Sequence, residues 1–444
     1  MDLRKNVIVK GKINDLNDDG QGILKIENNI IFIPNTIPGE EVEAVIVKTF
    51  SKYSIAKVVQ FISTSENRIV PSCPYFSKCG GCDIMHLPES TQVDFKTSKV
   101  AKTLKRIANI IFPVNNCIHL NNLRYRNKIA LPVSTLGKIG LYRKNTHSVL
   151  PVNDCLITEE WNEKIINCIN YYIEHSGISI YDEEKKCGLL KFIVTRAIEN
   201  SILITLVING TKIPKQELLI EQLEKTFKNF GLNININTEH NNVILSNKWK
   251  HLHGIENLTA NEFGIVYPVS NASFYQVNNV IKNEIYSAVL NAIPNNYVVI
   301  DAYSGAGLLS GIISTRAKKC YGIEIIKEAT QNANELKQQN NLDNLINING
   351  DCTTELPKLV NKLKNEHIII TLDPPRKGCD KKVLDAIINT NCEKIIYISC
   401  DPNSLARDLK IILDSNKYNL ESIQPYDMFP NTKHVETLVI LRKK

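Results

Sequence analysis

Apolar and polar residues alternate in short runs over the first sixty residues of the chain. The runs are VIVKGKI, GILKIENNIIFIP, EEVEAVIVKTF and SIAKVVQFI, and Gly, Pro and polar residues separate them. Alternation with a period of two is typical of strands that bury one face, and several such strands in succession favour a barrel. We therefore predict an OB-like β-barrel as a first domain over residues 1–62.

The next two hundred residues mix both kinds of pattern. KIGLYRK, LLKFIVTRAI and SILITLVI have the composition of strands, whereas PKQELLIEQLEKTFKNFG has helical spacing of its apolar residues. This mixture predicts a central α+β domain over residues 63–270.

Five apolar runs follow, and each leads into a loop and then a helical stretch. They are VVIDAYSGAG, KCYGIEII, NLININGDC, HIIITLDPP and KIIYISCDP. Buried strands that alternate with helices predict a parallel, doubly wound sheet. We assign this Rossmann-like domain to residues 271–444, so the fold class is multidomain α/β.

Composition narrows the compartment and the cysteine chemistry. The N-terminal residues have no apolar signal region, and no apolar run approaches the roughly 20 residues that a membrane span needs. We expect a cytoplasmic protein without a membrane partner. Twelve cysteines in such a chain favour metal binding or catalysis over disulfide bonds.

Positive charge is concentrated between Thr91 and Leu150. This stretch contains eleven basic residues and one acidic residue, Asp94. Such a segment neutralises phosphates, and Tyr125, Tyr142 and His147 supply rings that could stack on unpaired bases. We predict a nucleic-acid partner, with a solvated helix face as the alternative for KTSKVAKTLKR.

Four of the five predicted strands of the C-terminal sheet end on an acidic residue. Ligands of such sheets bind beyond the carboxyl ends of the strands. Asp301 is followed by Gly305 and Gly307, and Glu324 ends the next run, where a carboxylate can bind both ribose hydroxyls of an adenosine. Without a pyrophosphate motif, these signals indicate S-adenosylmethionine. Asp351 in NGDC suits the adenine edge, or alternatively caps the next helix.

LDPPRKG follows the fourth strand. Methyltransferases that act on exocyclic amines usually have an aromatic residue after Asp-Pro-Pro or Asn-Pro-Pro, but Arg376 stands there. An amine acceptor is therefore disfavoured. We expect Asp373 near the sulfonium group, with Arg376 and Lys377 free for a phosphate or a uracil carbonyl.

Cys400 ends the fifth strand and DPNSLARDLK begins a helix, with Asp401 or Asn403 as its cap. The positive end of the helix dipole favours a thiolate, so Cys400 is predicted to be a nucleophile. Thiolate addition to carbon 6 of uracil would activate carbon 5 for methylation. Glu436 in KHVETLVIL is the candidate base, with a pKa raised by apolar neighbours. A buried structural cysteine and an outward-facing strand glutamate are the alternatives.

Taken together, DAYSGAG, DPPRKG, YISCDP, FPNTKHVETLVIL and SFYQVN resemble the RNA uracil-5-methyltransferases. The N-terminal barrel resembles the TRAM domain of that family. The resemblance implies Cys400 as nucleophile and Glu436 as proton acceptor. It further implies that Gln276, Tyr303, Glu324 and Asp373 contact the methyl donor. Ser304 departs from the family, which often has cysteine there.

Cys73, Cys79 and Cys82 have C-x5-C-x2-C spacing, and Cys155 can complete a set of four. By spacing, such a set suits zinc or a [4Fe-4S] cluster. The resemblance implies the [4Fe-4S] cluster, because iron-sulfur members of the family have this pattern. Its expected role is to order the basic segment for RNA binding.

The resulting prediction is a monomeric RNA uracil-5-methyltransferase with ribosomal RNA as the preferred substrate, since iron-sulfur members with this barrel act largely on the large-subunit RNA. Transfer RNA is the alternative substrate. A non-catalytic iron-sulfur protein that binds RNA or senses redox state is the alternative of another class.

Overall fold

The structure, a computed structural model, describes residues 4–390 and 392–444. It begins with the strands β1 (Ile8–Leu16), β2 (Gly22–Ile26), β3 (Asn29–Ile33), β4 (Glu41–Thr49) and β5 (Ser54–Ser63). They form a closed barrel in the order β1-β2-β3-β5-β4, which confirms the predicted barrel. In β4 every second side chain from Val42 to Ile46 is buried. Residues 1–3 of the predicted first domain lie outside the described part, and the two boundaries between the three domains stay predictions.

A five-stranded sheet lies in the middle of the chain. The helices and strands of this part of the chain are, in order, α1 (Glu89–Ala108), β6 (Lys128–Pro132), β7 (Gly140–Tyr142), β8 (Val149–Pro151), α2 (Trp161–Ser176), β9 (Leu190–Ile198), β10 (Ser201–Ile208), α3 (Gln216–Thr226), β11 (Phe230–Ile236) and β12 (Trp249–Gly254). The sheet order is β12-β11-β10-β9-β6, and α2 and α3 pack against it. LLKFIVTRAI and SILITLVI form β9 and β10 as predicted, and KIGLYRK contains the short strand β7.

One predicted helix is shorter than its sequence pattern. The helical run was expected to reach Gly231, but α3 ends at Thr226 and Phe227 is already extended. Phe230 and Gly231 instead begin β11, which pairs in parallel with β10. Because Phe230 and Leu232 bury their side chains in this pairing, tertiary burial overrides the local helical pattern.

A hairpin and a seven-stranded sheet complete the chain. The elements are β13 (Leu258–Glu262), β14 (Ile265–Val269), α4 (Asn279–Ala292), β15 (Val298–Ala302), α5 (Leu308–Ser314), β16 (Lys319–Glu324), α6 (Lys327–Gln339), β17 (Leu345–Asn349), α7 (Cys352–Lys362), β18 (Ile368–Leu372), α8 (Lys381–Asn389), β19 (Lys394–Ser399), α9 (Pro402–Asp414), β20 (Tyr418–Tyr426) and β21 (Glu436–Lys443). The strand order of the seven-stranded sheet is β17-β16-β15-β18-β19-β21-β20, and β13 and β14 form the separate hairpin. The five predicted strands are parallel, and β20 and β21 add an antiparallel edge.

Helix α1 joins the parts of the molecule. Its apolar face, which includes Val100 and Leu104, packs into the core between the seven-stranded sheet and α7 to α9. Its cations also make internal contacts: Lys99 donates to the carbonyls of Asp18 and Lys433, and Arg106 pairs with Asp18. Lys99 is therefore used within the fold, whereas Lys105 and Arg106 are exposed on the surface of α1. No helix in the described part of the chain is long and apolar enough to span a membrane.

The fold predicts a measurable difference between two lysines of α1. Lys96 forms an ion pair with Asp427, and both side chains are fully buried. Replacing Lys96 by Met removes the lysine cation from the buried Asp427 carboxylate and leaves His119 as its remaining side-chain partner, so we expect the free energy of unfolding to fall by about 3 kcal/mol. Lys102→Met is the matched control, since Lys102 pairs with Asp15 in an exposed site and should contribute about 1 kcal/mol or less. Urea unfolding measures both, and equal losses would contradict this interpretation.

Candidate active site

Most of the predicted catalytic and cofactor-binding residues lie at one edge of the seven-stranded sheet. Glu324 is the last residue of β16, Asp373 follows β18 directly, and Cys400 follows β19 directly. Because these strands are parallel, their carboxyl ends lie side by side at the edge where such sheets bind ligands. Asp301, in β15, and Asp351, two residues after the end of β17, lie on the same edge.

The backbone holds the Glu324 carboxylate at the end of its strand. Its Oε2 accepts the Gly305 N–H at 2.9 Å, and its Oε1 accepts the Ile326 N–H at 2.8 Å. A Cβ on Gly305 would have no atom within 4 Å, so the loop is open there, whereas a Cβ on Gly307 would lie 2.6 Å from Ala333. Gly305 therefore permits close approach of a ligand, and Gly307 is required by the packing of α6.

Asp301 and Asp351 have protein partners for their carboxylates. Asp301 is buried and accepts hydrogen bonds from Ser310 at 2.5 Å and Thr371 at 2.7 Å. Burial raises the pKa of its carboxyl to about 6, although both hydroxyls oppose this shift. Asp351 accepts the Thr353 N–H at 2.8 Å and caps α7, as its alternative predicted. The predicted cofactor contacts of both residues stay predictions.

The pairing of β19 with β21 brings Cys400 and Glu436 together. Ser399 is opposite Thr437 in this antiparallel pair, so the next position places Cys400 opposite Glu436. Glu436 is 6% exposed, and Cys400 is half-buried. Two residues that are 36 positions apart in sequence thereby share one corner of the site.

Burial and like charges raise the pKa values of the acidic groups in this corner. Burial raises the pKa of Glu436 to about 8, and the charge of Asp373 adds to the effect. Burial also raises the pKa of Asp373 to about 7, with a contribution from Asp301. The predicted rise for Glu436 is therefore confirmed. Clustered carboxyls with raised pKa values are typical of functional sites.

The expected lowering of the Cys400 pKa is wrong. Asp401 does cap α9, with Pro402 in its first turn, so the helix N-terminus is where the sequence predicted it. Burial nevertheless raises the pKa of the thiol to about 11, and the charges of Glu436 and Asp373 add to this rise. Arg376 opposes it but is exposed to solvent. Desolvation, the largest cause, and the two neighbouring carboxylates thus act in the direction opposite to that expected from the helix N-terminus.

The segment between β14 and α4 carries two further candidates. Asn127 donates to the Gln276 carbonyl at 2.9 Å and so holds the backbone of this predicted donor contact. Phe274 is 81% exposed, which is unusual for a large apolar side chain and makes it available for stacking. Phe274 belongs to the motif SFYQVN, but the sequence alone does not show that its ring is exposed. Tyr286 on α4 has no sequence signal, yet burial and the charge of Asp373 raise the pKa of its hydroxyl.

The four predicted cluster cysteines lie in one neighbourhood. Cys73, Cys82 and Cys155 pack around Phe76 and Tyr125. Burial raises the pKa of Cys82, and the charges of Cys155, Cys79 and Cys73 raise it further. Within residues 4–390 and 392–444, however, no group of three or more His, Cys, Asp or Glu side chains has the geometry of a metal site. All twelve cysteines are free thiols.

The predicted stacking rings have different fates. Tyr125 is buried and donates to the Pro430 carbonyl at 3.1 Å, so it cannot stack on RNA. Tyr142 and His147 stack on each other with centroids 5.4 Å apart and line an open cleft with Tyr181. These two rings remain available to a partner.

The sheet and its strand-end carboxylates define an S-adenosylmethionine-dependent methyltransferase. The chain belongs to the tRNA (uracil-5-)-methyltransferase family, which matches residues 181–444. Residues 9–66 match the TRAM domain of tRNA (uracil(54)-C(5))-methyltransferase. The protein is thus an RNA methyltransferase, and the non-catalytic alternative is set aside.

Relatives of known sequence and structure agree with this assignment. An "uncharacterized RNA methyltransferase" of Clostridium tetani is 36% identical over 99% of this chain and 97% of its own length. A protein of Listeria monocytogenes with the same description is also 36% identical, over 99% of this chain and 98% of its own. The structure of Pyrococcus abyssi tRNA (uracil-54, C5)-methyltransferase with S-adenosyl-L-homocysteine has a TM-score of 0.79 and 22% identity, covering 98% of this chain and all of that one. This last likeness shows the shared fold.

The electrostatics of the corner predict opposite effects of two substitutions on Cys400. We expect its alkylation to have a pH midpoint near 11. Glu436→Gln should lower the midpoint because a negative neighbour is lost, and Arg376→Met should raise it because a cation is lost. Mass spectrometry of the alkylated Cys400 peptide across pH measures the midpoint, with the exposed Cys187 as the internal reference for reagent. Shifts of the same sign in both variants would contradict this electrostatic account.

Proposed function

We propose that this protein methylates carbon 5 of specific uridines in RNA through a covalent bond between Cys400 and carbon 6 of the uracil. The observation that supports this most directly is the opposition of Cys400 and Glu436 across the β19–β21 pair. A nucleophile and a base on one corner can act on adjacent atoms of one ring. Asp373 lies beside both, on the edge where the methyl donor is expected.

The chemistry assigns one task to each of these groups. Cys400, as thiolate, forms a bond to carbon 6, and the electrons of the C5=C6 bond move to give an enolate. Bound S-adenosylmethionine would supply the methyl group as a cationic electrophile: carbon 5 would bond to the methyl carbon, and the bond from that carbon to the sulfonium sulfur would break. Glu436 then accepts the proton from carbon 5. The C–H electrons re-form C5=C6, the C6–S bond breaks, and Cys400 leaves as thiolate.

Predicted donor contacts lie around the cofactor end of the sheet. We propose that Glu324 binds the ribose hydroxyls, because the backbone already fixes its carboxylate. The charge of Asp373 acts on both Cys400 and Glu436, so this carboxylate suits the sulfonium, while Asp351 suits the adenine. Gln276 and Tyr303 are assigned as contacts by motif, and Tyr303 has a left-handed backbone at the start of the cofactor loop. Asp301 orders this edge through Ser310 and Thr371.

Arg376 and Phe274 are proposed to bind the target nucleotide. Arg376 is an exposed cation whose charge acts on both Cys400 and Glu436. It can therefore favour the thiolate and, when substrate is bound, the enolate oxygen or the adjacent phosphate. The exposed ring of Phe274 can stack on an extrahelical base, since the uracil must leave its stack to reach Cys400.

We propose large-subunit ribosomal RNA as the substrate. The combination of this barrel with four clustered cysteines supports it, because iron-sulfur members of the family with that barrel act largely on this RNA. Transfer RNA is the second candidate, since the Pyrococcus abyssi protein that shares the fold along the chain is a tRNA enzyme. The predicted monomeric state and cytoplasmic location stay predictions.

We further propose that Cys73, Cys79, Cys82 and Cys155 hold a [4Fe-4S] cluster. Four thiols from two segments are the donor set that such a cluster needs. The Gly81 N–H also donates to Cys79 Sγ at 3.3 Å, as backbone groups do to cluster sulfurs. The cluster would link the segment around Cys79 to the one around Cys155, and no catalytic step is assigned to it.

RNA containing 5-fluorouridine tests the reaction and its substrate together. Fluorine at carbon 5 cannot leave as a proton, so the adduct should persist on Cys400 when the methyl donor is present. We expect a denaturation-resistant complex with the wild type and none with Cys400→Ser. Parallel large-subunit ribosomal and transfer RNAs show which is the substrate. A stable adduct with neither RNA would refute the reaction, and one with transfer RNA alone would refute the ribosomal assignment.

Metal analysis tests the cluster. Protein purified without oxygen should contain iron and sulfide in equal amounts, about four of each per chain if the site is full. Cys82→Ser should lose most of both, whereas Cys187→Ser, at an exposed position outside the four-cysteine group, should lose none. Zinc in place of iron, or iron unaffected by Cys82→Ser, would contradict the proposal.

A further inference from the structure

The loop of residues 427–435 leads directly into the proposed base, Glu436. Glu436 is the first residue of β21, so this 427–435 loop adjoins it on one side while strand pairing holds it on the other. Asn431 lies at the centre of the loop, is fully buried, and has a left-handed backbone with φ of 65°. Asparagine is among the few residues that adopt this conformation at low cost.

The backbone next to Cys82 binds the centre of the loop. The N–H groups of Asp83 and Ile84 both donate to the Asn431 carbonyl, at 2.9 and 3.0 Å. Tyr125 adds a hydrogen bond to the neighbouring Pro430 carbonyl. The cysteine-bearing segment, residues 73–84, is therefore in direct contact with Asn431, five residues before Glu436.

The side chain of Asn431 fastens the same point to two further segments. Gln92 of α1 forms a reciprocal pair with it: Gln92 Nε2 donates to Asn431 Oδ1 at 3.2 Å, and the Asn431 N–H donates to Gln92 Oε1 at 3.0 Å. Asn431 Nδ2 donates to the Asn122 carbonyl at 2.7 Å. Buried side-chain hydrogen bonds of this kind are costly to lose, since an unmet partner stays desolvated.

Contacts at both ends of the loop also come from the N-terminal third of the chain. Lys96 binds Asp427 and the Phe429 carbonyl, and Lys99 donates to the Lys433 carbonyl at 2.8 Å. Lys433 in turn pairs with Asp19 of the barrel. The barrel, α1 and the cysteine-bearing segment thus hold the loop from three sides.

We propose that Asn431 is a positioning residue for the reaction: it sets Glu436 opposite Cys400 by tying the 427–435 loop to α1 and to the backbone beside Cys82. The inference rests on the proposed function, in which Glu436 takes the carbon 5 proton. A base must lie within hydrogen-bond reach of that proton, and a displacement of about 1 Å can cost about 100-fold in rate.

Asn431→Asp tests this role, because it keeps the size and the left-handed backbone but removes the Nδ2–H donor. With ordinary uridine RNA we expect methylation turnover to fall by about 10- to 100-fold. The methylated adduct on Cys400 should accumulate at the same time, since proton removal is the slowed step. The KM for the methyl donor should not change. With 5-fluorouridine RNA the amount of adduct should match the wild type, because forming that adduct needs no base.

Asn416→Asp is the matched control, since Asn416 also has a left-handed backbone, with φ of 58°, but is exposed. It should behave as the wild type in every assay. If Asn431→Asp fails to fold, Asn431→Gly keeps the backbone conformation and should give the same pattern. Unchanged turnover, or an equal loss of turnover and of the 5-fluorouridine adduct, would overturn the positioning role. Absence of that adduct in the wild type would instead refute the proposed function.

Discussion

The antiparallel pairing of β19 with β21 is the constraint on which the candidate site depends. Its register places Ser399 opposite Thr437, and one position further on it places Cys400 opposite Glu436. A shift of one residue would turn the side chains of β21 to the other face of the sheet. The thiol and the carboxyl would then no longer share a corner. The sheet hydrogen bonds that hold this register therefore also bring the two candidate catalytic residues together.

The same corner shows how burial dominates local electrostatics. Desolvation is the largest influence on the pKa values of Cys400, Glu436 and Asp373, and it raises all three. Each carboxylate also disfavours ionisation of its neighbours. A site of this kind is suited to a cationic ligand, because a positive charge among the three groups would favour their ionised forms. S-adenosylmethionine has such a charge at its sulfur.

Much of the fold was predictable from the sequence because it is recorded in local patterns. Alternating residues indicated the barrel, and five apolar runs indicated the parallel sheet, since strands buried on both faces are continuously apolar. The candidate residues Glu324, Asp373 and Cys400 could be identified from the sequence for the same reason, because each stands at the end of an apolar run that forms a strand. The sequence pattern predicted too long a helix at α3. The burial of Phe230 depends on pairing with β10, and the local pattern contains no information about that strand. Phe274 was missed because its exposure is a property of the folded chain.

The sequence by itself determined the elements, the strand-end chemistry and the family, since these depend on residue order over short spans. Only the tertiary structure decided which partners the charged side chains bind. The basic residues of α1 suggested a nucleic-acid contact or a solvated helix face, but two of them, Lys96 and Lys99, instead bind Asp427 and two backbone carbonyls within the fold. It likewise decided the ionisation of Cys400, for which the helix cap alone indicated the wrong direction. Charge and desolvation act through space, so partners distant in sequence, such as Asp373 and Glu436, determine the outcome.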